Sequence, residues 1–166
     1  YWYTAHKGPL IFVSIVGVVV GALGTLVYSH FANKADIHNV TCLRLNIYFE
    51  ARGEPEAGQY AVAEVTMNRV ASRHYPNTVC GVVYQQNWDP LRKRYVAAFS
   101  WTEFETRPAP RGKEWEPAWD IAEEVYYGRS PSRLDGAVLY HAAYIQPSWS
   151  REKKPIHRIG KHIFYR

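Results

Sequence analysis

The amino-acid sequence predicts an α+β domain preceded by one transmembrane helix. Three observations predict it: an uncharged apolar stretch near the N-terminus, three helix-period segments after it, and short alternating segments at the C-terminus. Helices first and a small antiparallel sheet later is the order of an α+β fold.

The apolar stretch comes first. From Gly8 to Asn33 there is no Lys, Arg, Asp or Glu. Residues 9–29 are long enough to cross a hydrocarbon core of about 30 Å, whereas a cleaved signal peptide has a shorter apolar region and a small-residue cleavage site. The organisation read from this is a short N-terminal segment (1–8), a transmembrane helix (9–29), a polar connector (30–38) and one domain (39–166). Lys7 and Lys34 flank the span and give almost no charge bias for orientation. Gly17 and Gly21 form a G-x-x-x-G spacing that suits close packing of two such helices, and equally a lone lipid-facing helix that tolerates glycine. The chain begins with Tyr, which leaves room for an upstream start.

The domain opens with "NVTCLRLNIYFEA", where Leu43, Ile47, Glu50 and Ala51 share one helical face and Leu45, Tyr48 and Phe49 another. Apolar on two faces, this helix is expected to be largely buried. Gly53 suits its C-terminus and Pro55 the first turn of the next. That second helix, "PEAGQYAVAEVTMNRVASR", carries Ala61, Val62 and Val65 on one side and Tyr60, Ala63, Met67 and Val70 on another. Residues 74–113 are turn-rich and read as loops that build a cleft. "EWEPAWDIAEEVYYGRSP" is a third helix, with Trp119, Ala122 and Tyr126 at helical spacing and Gly128 and Pro131 at its end. "GAVLYHAAYI" and "IHRIGKHIFYR" alternate as short antiparallel strands.

Composition bounds the function. The 166 residues suffice for one domain plus an appendage, and 47% hydrophobic with 21% charged residues marks most of the chain as globular. The formal charge of +5 favours an acidic partner, a wall polymer or lipid surface. No nucleic-acid motif accompanies it, so nucleic acid is not expected as a partner.

Glu50 is the residue with chemical promise. It shares a face with Leu43 and Ile47, and desolvation there keeps a carboxylic acid protonated near neutral pH, as a general acid requires. A structural ion pair with Arg52 or Arg69 is the alternative. Glu54 and Glu56 sit where a second helix begins, and the helix dipole is reason enough for both. Asn68 and Arg69 close the second helix and read as ties to the following loop.

The segments "LNIYFEARGEPEAGQYAVAEVTMNRV", "YPNTVCGVVYQ", "FSWT", "LYHAAYIQPSW" and "RIGKHIFYR" resemble, in order, the SleB-type cell wall hydrolase family, the spore-cortex-lytic enzyme-like proteins. E-A-R-G-E followed by G-Q-x-A-V-A and N-R is specific, and the closing I-G-x-H-x-F-Y-R supports it independently. The resemblance implies a lysozyme-like helical domain with a small antiparallel sheet beside a cleft. It implies cleavage of peptidoglycan glycan strands between N-acetylmuramic acid and N-acetylglucosamine, with Glu50 as catalytic acid and no cofactor. It also places Ser100, Thr102, Tyr140 and His141 as substrate-binding residues. Each has a plainer reading, a turn cap for Ser100 and Thr102 and sheet packing for Tyr140. Relatives often carry cysteines at the positions of Cys42 and Cys80, which implies a disulfide outside the cytoplasm. They often carry a further pair where Ala97 and Glu103 stand here.

A single essential Glu fits a lytic transglycosylase, in which the C6 hydroxyl of muramic acid closes onto C1 and leaves a 1,6-anhydro end. A lysozyme-type hydrolase ordinarily needs a second carboxylate; Glu64, Asp89, Glu103 and Glu105 are candidates, none marked out by pattern. An amidase would need three zinc ligands. His38, His74, His141, His157 and His162 are numerous, but no H-x-x-E-H or similar cluster is present, and no metal is expected; His157 and His162 read as surface or packing residues. A non-catalytic peptidoglycan-binding envelope or virion component is the remaining class. The anchor fits a bacterial inner-membrane protein with its domain in the periplasm, or a phage protein in a virion membrane.

Overall fold

The computed structural model describes residues 7–104, 106 and 108–166. By its internal contacts the chain divides into a unit ending at Ile37 and a unit of His38–Arg166. Helix α1 runs Lys7–Ala51, so the polar stretch 30–38, expected as a connector, is helical throughout. No proline interrupts the sequence between Leu10 and Ala51, and nothing there breaks the backbone ladder. In the first unit Phe12, Val13, Val18, Val20 and Leu26 are all exposed. Of the described helices, this one alone is long and apolar enough to cross a membrane.

In the second unit α1 ends at Ala51, where the Glu54 N–H reaches the Ala51 carbonyl at 2.9 Å, and Pro55 opens helix α2, Glu56–Ala71. Proline fits there because its fixed φ is already helical and its missing N–H would be unpaired anyway. Buried Leu43, Ile47 and Tyr48 of α1 form the main core with α2, the short helix α3 (Val79–Val83), and helix α4 (Trp115–Tyr126), which contributes Ala118, Ile121, Ala122 and Val125. Helix α4 ends as expected, with Gly128 in the left-handed region at φ 67°.

The middle segment is more ordered than the expected loops. Strands β1 (Gln86–Asp89) and β2 (Arg94–Ala97) form an antiparallel hairpin, followed by a 3-10 turn at Ser100–Glu103. The Asp89 side chain makes the turn, accepting from the Leu91 and Arg92 N–H groups at 2.9 and 3.1 Å. This signal is chemical, not periodic, and the strands are too short for alternation to reveal. The C-terminal strands β3 (Leu139–Ala142), β4 (His157–Ile159) and β5 (His162–Tyr165) form an antiparallel sheet in the order β3-β5-β4. Its buried Phe164 meets Ala61 and Val65 of α2 together with Leu134 and Ala137 in a second, smaller core.

Cys42 and Cys80 are joined by a disulfide, with Cα atoms 5.3 Å apart, that ties α1 to α3. A closed loop of this length contributes about 4 kcal/mol in the chain-entropy model.

Candidate active site

Glu50 occupies the last turn of α1, and its surroundings follow from what holds that turn. One turn earlier, fully buried Asn46 donates to the Thr66 hydroxyl of α2 at 3.2 Å and accepts from the Trp101 indole at 2.9 Å. Phe49 stacks on Trp101, ring centroids 4.7 Å apart. The end of α1 is therefore bound to both α2 and the Ser100–Glu103 turn. Sequence reading missed Asn46 and Trp101; a lone Asn on an apolar face was the available signal.

The Glu50 carboxylate lines a cavity of about 560 Å³ between the end of α1, the β2–3-10 segment and the C-terminal sheet. It accepts one hydrogen bond, from the Tyr140 hydroxyl of β3 at 3.1 Å. Burial pushes its carboxyl above the ordinary carboxylate range, while the Tyr140 hydrogen bond and the Arg69 charge pull it part of the way back. Tyr140 in turn is held far above its ordinary range by burial and by the adjacent Glu50 charge, so it stays a donor. The pair forms a protonatable acid with a neutral orienting partner.

Arg69 is more than the expected tie to a loop. Its Nε does donate to the Val138 carbonyl at 2.8 Å, and neighbouring Asn68 donates to Ala137 at 3.0 Å. Yet its guanidinium also lies over Phe99, 5.2 Å from the ring, and lines the cavity as a buried positive charge facing Glu50. The N-R pair of the motif was the signal that could have found it.

The other sequence-derived residues separate. Ser100 and His141 line the cavity. His141 is tethered on both sides: Nδ1 lies 2.9 Å from the Ala142 carbonyl, to which it donates, and Nε2 lies 2.9 Å from the Tyr165 hydroxyl. Thr102 does not line the cavity; its hydroxyl donates to the Phe99 carbonyl at 2.9 Å and closes the 3-10 turn, the plainer reading. His162, read as a surface or packing residue, is buried and lines the cavity beside Tyr140, ring centroids 5.1 Å apart. The register Ala142↔His162 puts it there, a pairing no local pattern discloses.

Among the described carboxylates considered as partners, Glu64, Asp89 and Glu103, Glu103 alone lines the cavity. It accepts from the Ala97 N–H at 2.9 Å and lies 3.6 Å from Arg94, which holds it below the ordinary carboxylate range. Glu64 is buried elsewhere, Asp89 is in the hairpin turn, and Glu105 lies outside the described residues. Among the described residues one metal-compatible group occurs, His38 with Cys42 and Cys80, and its two sulfurs are bonded to each other.

Glu50 is thus a half-buried acid in a cleft between a helical body and a small antiparallel sheet. Residues 53–165 match the Cell Wall Hydrolase family, and the chain belongs to it; Glu50 lies three residues ahead of that stretch. The spore cortex-lytic enzyme of Bacillus subtilis (strain 168) is 33% identical over 131 residues, 76% of this chain and 37% of that protein. The Bacillus cereus enzyme is 33% identical over 123 residues, 71% of this chain and 40% of its own. The chain therefore spans well under half the length of these curated relatives. Its fold matches the crystal structure of the catalytic domain of the Bacillus cereus SleB protein (TM-score 0.55, 30% identity, 78% of this chain and 91% of that one). It also matches the catalytic domain of the germination-specific lytic transglycosylase SleB from Bacillus anthracis (TM-score 0.58, 28% identity, 77% and 93%).

Proposed function

We propose that this protein cleaves peptidoglycan glycan strands at the bond between N-acetylmuramic acid and N-acetylglucosamine, as a lytic transglycosylase with Glu50 as its acid. The observation that carries the reading is the Glu50 carboxyl itself: set in a cavity, oriented by a neutral Tyr140, and pushed by burial toward its protonated form. Protonated Glu50 donates to the departing glycosidic oxygen as the C1–O bond breaks. The C6 hydroxyl of the muramic acid closes onto C1 and yields a 1,6-anhydro end, its proton passing in the simplest scheme to the Glu50 carboxylate left behind. The Arg69 guanidinium, across the cavity, offers donors to the carbonyl and hydroxyl oxygens of the sugar.

Hydrolysis is the second reading, and Glu103 favours it. An ionised carboxylate on the same cavity could activate water from the opposite face of the sugar. Its two existing partners, Ala97 N–H and Arg94, already occupy much of its accepting capacity, and the Bacillus anthracis relative is a lytic transglycosylase by name. Both favour the first reading. A purely structural wall-binding role would leave the Glu50–Tyr140 arrangement without a use.

The apolar residues 9–29 anchor the chain in a bilayer in this reading, with the wall on the side of residues 39–166. Gly17 and Gly21 have open space beside them, room for a second copy of the helix. The deciding experiment is mass spectrometry of fragments released from purified peptidoglycan by the detergent-solubilised full chain, with Glu50→Gln alongside. Anhydromuramoyl ends from the parent and none from the variant are expected. Reducing muramic ends lost in Glu103→Gln would establish hydrolysis instead.

A further inference from the structure

The cleft holds a second titratable site that the single-acid scheme leaves idle. His162 lines the same cavity as Glu50, yet its Nδ1 is enclosed by protein and has no hydrogen-bond partner. That atom lies 4.0 Å from Oε2 of Glu54, whose side chain is only 6% exposed. The carboxylate is held by construction: the Lys161 N–H donates to Oε2 at 2.7 Å from the turn between β4 and β5. Gly160 in that turn has φ 57°, and a Cβ there would run into the same oxygen, so glycine is required for the approach. A closure of about 1 Å brings Nδ1 to hydrogen-bonding distance of Glu54. The neutral ring then carries its proton on Nδ1, and Nε2 keeps a lone pair for a group in the cavity.

We propose that His162, oriented by Glu54, is a catalytic base of this cleft that takes the proton of the oxygen attacking C1. The inference rests on the glycosidase reading of the site. As Glu50 gives its proton to the departing oxygen and the C1–O bond breaks, the C6 hydroxyl oxygen bonds to C1 and its proton passes to Nε2. Glu50 is left as carboxylate and His162 as imidazolium, and solvent carries the proton from one back to the other. The groups facing the ring are Glu54 in the turn between α1 and α2, Tyr140 and His141 on β3, and Lys161 beside it; Glu50 and Arg69 line the cavity with it. Burial keeps His162 below its ordinary range, and His141 and Lys161 add to this while Glu54 opposes it, so the ring is neutral at neutral pH.

The test is the pH dependence of glycan cleavage by the full chain. With two groups the profile is a bell. His162 must be neutral and Glu50 protonated, so where Glu50, pushed up, titrates above His162, pushed down, the acid limb follows His162 and the alkaline limb Glu50. His162→Gln is expected to lower kcat by roughly a hundredfold, the low end for a general base, with little change in KM, and to remove the acid limb while leaving the alkaline one. Glu54→Gln removes the charge that opposes the downward shift, so the acid limb moves to lower pH. Titration of the His162 ring by NMR in the unaltered protein should give the same midpoint as the acid limb, which guards against a variant that misfolds. A profile with no acid limb, or one retained unchanged in His162→Gln, or a ring midpoint away from the limb, overturns the role of His162 alone if Glu50→Gln is inactive. Full activity of Glu50→Gln overturns the glycosidase reading itself and this inference with it.

Discussion

Two carboxylates on adjacent helices meet opposite fates in this domain. Glu64, on α2, is buried and has three donors: the Ser132 hydroxyl at 2.6 Å and the Arg133 and Leu134 N–H groups at 2.8 and 3.1 Å. Glu50, on α1, has one, the Tyr140 hydroxyl at 3.1 Å. At Glu64 every donor comes from the 132–134 segment, so the carboxylate pins that segment to the helix and has little capacity left. At Glu50 protein donors were withheld, and the acceptor positions open onto the cavity. A buried carboxylate supplied with donors is a structural tie; a half-buried one left short of them is pushed toward its protonated form.

The largest expected effect comes from Glu50→Gln. It should lower glycan cleavage by about a hundred- to ten-thousandfold, the usual worth of a general acid, with Tm unchanged or raised near neutral pH. The sign follows from linkage: a carboxyl whose folded pKa lies above its unfolded value favours the fold while protonated, and that contribution is lost as pH rises through the folded pKa. Tm of the parent measured against pH should therefore fall across that interval, and the fall should be absent in Glu50→Gln.

Reduction of the disulfide, or Cys42→Ala with Cys80→Ala, should cost about 4 kcal/mol, read from denaturant unfolding of both forms. Glu64→Ala should behave as the converse of Glu50→Gln. Stability is expected to drop by about 2–4 kcal/mol because two backbone N–H groups are left buried and unpaired, with cleavage per folded molecule unchanged. Equal losses of specific activity at Glu64 and Glu50 would break the distinction between tie and acid.

The smallest effect is expected from Tyr140→Phe. Its hydrogen bond favours the ionised form of Glu50, so removing it should raise the Glu50 pKa and move the alkaline limb of activity to higher pH, with a rate change of only a few-fold. A downward shift of that limb would mean that Tyr140 stabilises the protonated acid instead.

The sequence by itself determined the helices and the place of Glu50 on one of them. Leu43 and Ile47 recur with Glu50 at helical spacing, Gly53 and Pro55 punctuate the chain between two helices, and residues 9–29 lack any charge, because helix period, backbone chemistry and hydropathy are local properties. The C-terminal strands were legible for the same reason. What tertiary structure alone decided is the company Glu50 keeps. Tyr140 is 90 residues away along the chain, and His162 enters the cavity through a strand register set by the whole sheet. Arg69 and His162 each had an ordinary local explanation and Glu103 had no distinguishing pattern, and only their arrival on one cavity distinguishes them from solvated or packing residues. Thr102 is the reverse case, a motif residue whose hydroxyl the local turn had already claimed. Catalytic pKa values depend on burial and on charges brought together across the fold, and neither is a property of a segment.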